Sequence, residues 1–294
     1  MIKNKIHLGG SLLREYDEKT LKQLHRTEMD ILKDFIEICE KNDLTYFGFA
    51  GTAIGALRHK GFIPWDDDID VGLPREDYEK FLIIAAKELQ NKYIIMNGET
   101  NENYPLMSTR LMKMDTKFRE YSLKNINCQL GIFLDIYAFD NVSDDHKEFK
   151  KQMREAWFFS KLLILRSVPF PVLGFKGFKA FLVHLCTAFI HYLMVIFRVP
   201  KKYIYKRCKA VGLRYNDRRT ERIDYLFDTT PTMNIIKVKD LYPLVKLDFE
   251  DVKLNFPNNM HENLTNMYGD YMKLPPLEKR KNHYPYELEF DNEI

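Results

Sequence analysis

Four aspartates fall within five positions, Asp66, Asp67, Asp68 and Asp70, at the end of the stretch GTAIGALRHKGFIPWDDDID from Gly51 to Asp70. In a strand, side chains two apart share a face, so Asp66, Asp68 and Asp70 project together while Asp67 and Ile69 point the other way. Carboxylates crowded on one face repel one another unless a cation joins them, and magnesium is the usual hard, oxygen-seeking ion, with manganese as its substitute. Metal held in this way neutralises phosphate charge and orients attacking and leaving oxygens, as phosphoryl transfer demands. Asp135, set between Leu134 and Ile136 in a strand-like run, offers a further ligand from a neighbouring strand.

An acidic run is often only a solvated loop. Here Pro64 and Trp65 precede it, Ile69 and Val71 alternate with it, and an apolar strand follows, so the carboxylates belong close to a core. A calcium loop of the EF-hand type would begin with aspartates at alternate positions but needs glycine sixth and glutamate twelfth. Val71 and Asp77 occupy those places. Upstream, Gly51 and Thr52 follow a short strand and open a helix, so their backbone N–H groups can face a phosphate, with tight packing as the plain alternative.

The elements that must position these residues are legible from periodicity. Between Asp17 and Asn42, Leu21, Leu24, Met29, Leu32, Phe35, Ile36 and Cys39 recur at helical spacing. TYFGFAG reads as a strand turning into the helical stretch TAIGALRH, DIDVGL as a second strand, and REDYEKFLIIAAKELQ after Pro74 as a helix. YIIMN, RLMKM, TKFREY and IFLDIYAF are further strands. Between Glu155 and Asp217 there is no acid, while eleven residues are Lys or Arg, which marks a separate module or insertion. The net charge of +3 gives no reason to expect a nucleic-acid partner. Cys39, Cys128, Cys186 and Cys208 stand too far apart for a metal or redox pair and read as reduced, mostly buried thiols. The first residues, MIKNKIHLGGSLLREYD, hold no apolar run of signal-peptide length, so a cytoplasmic location is expected.

The stretch GTAIGALRHKGFIPWDDDID closely resembles the signature of the LicD family of phosphocholine transferases, which includes fukutin and fukutin-related protein. RLMKMDTKF, the FLDIYAFD segment around Asp135 and the tail YGDYMKLPPLEKRKNH follow in family-like order, so the resemblance spans roughly residues 25 to 285. It implies an α+β, nucleotidyltransferase-like fold: a mixed β-sheet flanked by helices, with a helical basic and apolar insertion. Residues 1–155 would form the catalytic core, 156–216 the insertion, and 217–294 the part completing the catalytic domain. Asp68 and Asp70 become the metal-binding pair, Asp135 the third acid, and Asp66 an extra ligand or orienting group. Arg58 and His59, and Arg280 and His283 in the tail, are either donor-phosphate contacts or structural hydrogen-bonding groups.

The implied reaction moves phosphocholine, or a similar phosphate-linked group, from a CDP-activated donor such as CDP-choline to a hydroxyl of a cell-surface glycan precursor. Teichoic acid, lipooligosaccharide and capsular repeat units all fit as acceptors, and Asp135 or Asp66 is the candidate proton acceptor. Choline calls for an aromatic surface, for which Trp65, Tyr284 and Tyr286 are candidates beside their ordinary role in packing. The rivals are a metal-dependent nucleotide-sugar glycosyltransferase and a non-catalytic scaffold of the same fold. Within the basic block, Phe181 to Phe197 is a 17-residue apolar run, short of the roughly 20 needed to span a bilayer. Lys176, His184, Thr187, His191 and Arg198 collect on one helical side, the pattern of an interfacial helix. An anionic membrane surface, on the inner face of the plasma membrane, is the expected partner; the plain alternative is a core helix with its polar stripe in water.

Overall fold

The structure, a computed structural model, describes residues 15–291. The charged N-terminus that carries the expectation of no leader lies largely among residues 1–14, outside the described residues. In chain order the elements are α1 (Glu18–Lys41), β1 (Phe47–Gly48), α2 (Ala50–His59), β2 (Asp70–Pro74), α3 (Arg75–Glu88), β3 (Tyr93–Met96), β4 (Thr109–Lys113), β5 (Lys117–Glu120) and β6 (Phe133–Asn141). Then come α4 (His146–Ser167), α5 (Phe178–Ile196), α6 (Lys201–Gly212), β7 (Arg222–Asp224), β8 (Ile236–Lys237), α7 (Val238–Leu241), β9 (Val245–Phe249), β10 (Val252–Phe256), α8 (His261–Tyr268) and β11 (Pro285–Glu289).

Local chemistry explains where the first helices stop and start. Asp17 caps α1 by accepting the Thr20 N–H at 2.9 Å, and the helix buries one stripe including Leu24, Ile31, Phe35 and Ile38. α3 opens after Pro74 with Glu76 and Asp77 in its first turn, where acids favour the helix dipole. The expected strands YIIMN, RLMKM, TKFREY and IFLDIYAF are β3 to β6.

A mixed sheet in the order β1-β2-β6-β4-β3 organises the molecule, extended by β7 on the end of β6 and by β8 on β7. Among the described residues of this sheet, only β2 and β6 run parallel. β6 is central and buried along most of its length, consistent with its near-continuous apolar run. One core joins α1, α3 and the sheet through Leu32, Phe35, Phe81, Val71 and Ile136, and takes in Phe249 and Phe256 from the β9–β10 hairpin. A second core gathers Phe47, Phe49 and Phe139 with Phe149 and Ala156 of α4, Cys208 and Val211 of α6, and Ile223 of β7. α4 runs through residue 155, and α6 packs on it. The tail returns as β11, antiparallel to β5, so chain separated by more than 150 residues meets in a separate two-stranded sheet.

Arg75 at the start of α3 fixes that helix to β6. Its Nε and Nη2 donate to both carboxylate oxygens of the fully buried Asp140 at 2.7 and 2.8 Å, and Asn216 Nδ2 adds a third bond at 2.6 Å. Arg75→Met leaves that carboxylate buried without its cation, so it should lower stability by about 3–5 kcal/mol. Urea unfolding of the purified variant measures this, and an unchanged midpoint would show that the pair contributes nothing.

Candidate active site

Parallel pairing of β2 with β6 brings Asp70 opposite Asp135. On the other side of β6, Arg110 of β4 is the partner of Asp135, so an acid, an acid and a base lie in one row across three strands. Ligand oxygens of Asp68, Asp70 and Asp135 lie within 4.8 Å of one another. Arg110 Nε donates to Asp135 Oδ1 at 3.2 Å and its Nη2 to Glu120 at 3.0 Å, while the guanidinium rests on the Phe133 ring at 3.7 Å. Burial raises the Asp135 pKa, and Arg110 only partly offsets this. Burial likewise pushes Asp68 up to about 6, against the pull of His283. Asp70 and Asp66 are raised well above the ordinary carboxylate range, by burial first and then by Asp68.

The strand carrying these acids is shorter than the alternation of the sequence implied. Only Asp70 belongs to β2; Asp66, Asp67 and Asp68 precede it as irregular chain, because no neighbouring strand pairs with them. Helix α2 also begins at Ala50, two residues before the expected TAIGALRH. Ala50 takes φ +49°, a left-handed conformation unusual for alanine, as the chain swings from β1 into the helix. Thr52 is buried, and its hydroxyl accepts the Asp70 N–H at 2.8 Å, tying the helix to the acidic strand. Gly51 sits where a Cβ would meet Asp66 Oδ2 at 2.9 Å. Glycine therefore lets the first turn of α2, whose N–H groups lack intrahelical partners, close on the carboxylates.

Asp67 is fully buried and acts as a lock. It accepts the Tyr16 hydroxyl at 2.6 Å and the backbone N–H of His283 at 2.7 Å. The His283 ring is half exposed, with Nδ1 3.2 Å from Asp68 Oδ2. Partial desolvation among the neighbouring groups would lower its pKa, but Asp68, Asp67 and Glu120 outweigh that and raise it well above the usual histidine value. His283 therefore contributes positive charge beside Asp68. Sequence reasoning missed two residues. Arg110 lay inside RLMKM, read only as a strand, and Glu28 is an acid on the core face of α1, four residues after Leu24. Both Glu28 carboxylate oxygens are buried without a hydrogen-bond partner among the described residues, and burial followed by Asp68, Asp67 and Asp66 raises its pKa well above normal.

Arg58 and Arg280 meet at the edge of this site. Arg58 Nη1 donates to the Tyr271 carbonyl at 2.9 Å, while its buried Nε has no partner among the described residues. Desolvation and then the Arg280 charge lower its pKa, and Asp66 opposes them. Arg280 lies over the Trp65 ring at 4.1 Å and donates Nε to the Pro275 carbonyl. Trp65 thus already carries a cation. His59 is exposed at the end of α2. Tyr284 packs against Tyr16, and Tyr286 of β11, itself exposed, makes an edge contact with Tyr121. The rings beside the acids are others. Tyr137 lies two residues beyond Asp135 on β6, packed edge-on against Tyr225 at 4.8 Å, and partial burial plus Asp70, Asp66 and Asp68 raise the pKa of Tyr268.

Three converging carboxylates held by a sheet and one loop make an all-oxygen donor set that fits a hard divalent ion. A second group, Asp67, Asp68 and His283, also clusters within 4.8 Å, but Asp67 is occupied by Tyr16 and by the tail. A mixed sheet thus sets a glycine-containing helix start against acids on two parallel strands. The family model described as LicD/FKTN/FKRP, nucleotidyltransferase domain, matches residues 43–177. The chain is also 31% identical over 281 residues to the lipopolysaccharide cholinephosphotransferase LicD of Haemophilus influenzae, covering 91% of this chain and 97% of that protein. It belongs to the LicD family and is an enzyme of that phosphotransferase type. An uncharacterised protein of Rickettsia typhi is 39% identical over 69 residues, 24% of this chain and 22% of that one, and one of Rickettsia prowazekii is 47% identical over 47 residues, 16% of this chain and 18% of that one.

The lock on the tail can be opened selectively. Asp67→Ala removes the acceptor for Tyr16 and for the His283 N–H, two bonds to a charged group worth about 1.5–3 kcal/mol each before relaxation. Limited proteolysis should then cleave between residues 270 and 284 faster than in the parent, with the unfolding midpoint lowered. Equal cleavage rates would show that the tail is held by other contacts.

Proposed function

We propose that this enzyme transfers phosphocholine from cytidine diphosphate choline to a hydroxyl of a cell-surface glycan. The observation that carries the reading is the convergence of Asp68, Asp70 and Asp135 within 4.8 Å beside a helix start and two arginines. The similarity to a lipopolysaccharide cholinephosphotransferase supports the choice of choline and of a glycan acceptor. Asp68, Asp70 and Asp135 would hold a magnesium ion, which when bound neutralises charge on the donor diphosphate.

The chain's own residues do the rest. The first-turn N–H groups of α2 and the paired guanidinium groups of Arg58 and Arg280 bind and orient the diphosphate, and an anion between the two arginines relieves their mutual repulsion. The acceptor oxygen forms a bond to the choline-bearing phosphorus as the bond to the bridging oxygen breaks and cytidine monophosphate leaves with that electron pair. Asp66 takes the hydroxyl proton: it lies against the start of α2, whereas Asp135 is held by Arg110. Arg110 positions Asp135, and His283 offsets the charge of Asp68. Tyr137 and Tyr268 offer the aromatic surface for the quaternary ammonium in place of Trp65, which already carries Arg280.

Asp68→Asn and Asp70→Asn keep shape and remove charge, so each should lower transfer at least about a hundredfold with circular dichroism unchanged. Asp135→Asn, which also weakens the Arg110 pair, should show the same loss with a reduced unfolding midpoint. Near-normal transfer by the first two would overturn the site. In calorimetry the cytidine donor should bind only with magnesium, and Arg58→Gln or Arg280→Gln should weaken it roughly tenfold or more. Magnesium-dependent binding of a uridine or guanosine diphosphate sugar instead would make the enzyme a glycosyltransferase.

A further inference from the structure

Helix α5 is turned inside out. Its mean hydropathy is 1.7, yet only 11% of its most apolar stretch is buried. The side facing α4 carries Ala180, His184, Thr187, His191 and Met194, at helical spacing. His191 Nδ1 donates to the Leu165 carbonyl of α4 at 2.7 Å, Thr187 bonds the His184 carbonyl, and His184 lies against Phe170 with its Nδ1 buried. The opposite side presents Phe181, Leu185, Phe189 and Ile196, exposed at 61, 59, 64 and 71%. Of the polar stripe that the sequence would give to water, His184, Thr187 and His191 thus face the protein while Lys176 and Arg198 stay exposed, and the apolar face is left outside. Phe170, Val172 and Phe175 in the preceding loop and Phe197 after the helix are exposed as well, and exposed apolar side chains gathered in this way mark an interaction surface.

Charge selects the occupant. No acid occurs from residue 156 to 216, and Lys176, Lys179, Arg198 and Lys202 are exposed at the two ends of the apolar face. A two-fold pairing of this face with a second copy would bring those basic ends near one another with no acid in the segment to pair them. A layer of lipid tails edged by anionic headgroups answers both features at once. Length alone would let 19 residues, about 28 Å of helix, cross a hydrocarbon core of about 30 Å. Crossing would, however, strip α5 from α4, separate Met194 from Leu163, Ile204 and Tyr205, and carry two histidines into hydrocarbon.

We propose that α5 lies flat in the surface of an anionic bilayer, its Phe181, Leu185, Phe189 and Ile196 face among the acyl chains and its basic ends at the headgroups. The pose brings the enzyme to the surface at which a lipid-anchored acceptor stands, but its test does not depend on the transferred group. Cys186 is exposed on this helix while Cys39, Cys128 and Cys208 are buried, so one environment-sensitive fluorophore can be placed where contact is expected.

With the full chain and phosphatidylglycerol–phosphatidylcholine vesicles at low salt, the protein should co-sediment and the Cys186 probe should shift to the blue. Salt, or Lys176→Gln with Lys179→Gln and Lys202→Gln, should weaken binding several-fold. Leu185→Asp with Phe189→Asp should reduce it at least tenfold with circular dichroism unchanged, since both side chains are exposed. Four results would overturn the proposal: no sedimentation with anionic vesicles, full binding by the double aspartate variant, salt-independent binding to pure phosphatidylcholine, or resistance to extraction by alkaline carbonate. A dimer in light scattering that the aspartate pair dissolves, without vesicle binding, would make the face an interface between copies.

Discussion

Holding several carboxylates together away from water is the constraint around which the molecule is arranged. Two full charges 4.8 Å apart, the span that contains the ligand oxygens of Asp68, Asp70 and Asp135, repel by roughly 3 kcal/mol at an effective dielectric near 20. Asp66 and Glu28 add to the load from the loop and from α1. The surroundings answer it in three ways. Arg110 and His283 supply positive charge, burial raises the proton affinity of the acids, and the first turn of α2 lies close beside Asp66 at Gly51. A site that stores repulsion in this way is poised for a cation, and the proposed magnesium ion is the species that would discharge it.

Rigid elements make the arrangement bearable. Asp70 and Asp135 are fixed by strand register, Asp67 by two hydrogen bonds, and the Asp66 backbone by bonds to His25 and to the Ile63 carbonyl. The tail, drawn in by β11 on β5 and by the Arg58 bond to Tyr271, delivers His283 and Arg280 to acids more than 200 positions earlier. Fold and site are therefore not separable: the same bonds that close the chain bring positive charge to the carboxylates.

The helices beyond β6 divide between two duties. α4 and α6 bury Phe149, Ala156, Cys208 and Val211 in the second core, and α4 is capped by Asp145, so they belong to the folded body despite the basic composition around them. α5 contributes little to any core, and Ala180 and Met194 are its only buried residues. Composition alone joins the three helices into one block, and packing separates them.

The sequence by itself determined the strands YIIMN, RLMKM, TKFREY and IFLDIYAF and the limits of α1, and it singled out Asp68, Asp70 and Asp135, which the fold brings together. These depend on period and on residue type, which are local properties. Its family-like order also carried the chain to the LicD family. Tertiary structure alone decided what depends on register and distant contact. It showed that Asp67 locks the tail, that Arg110 faces Asp135, and that Glu28 joins the acids from a helix face resembling ordinary core. It also turned His184, Thr187 and His191 of α5 inward. A helical wheel ranks the sides of a helix, but which side meets the protein is chosen by the neighbours: α4 offered a carbonyl to His191, and the phenylalanines were left outside.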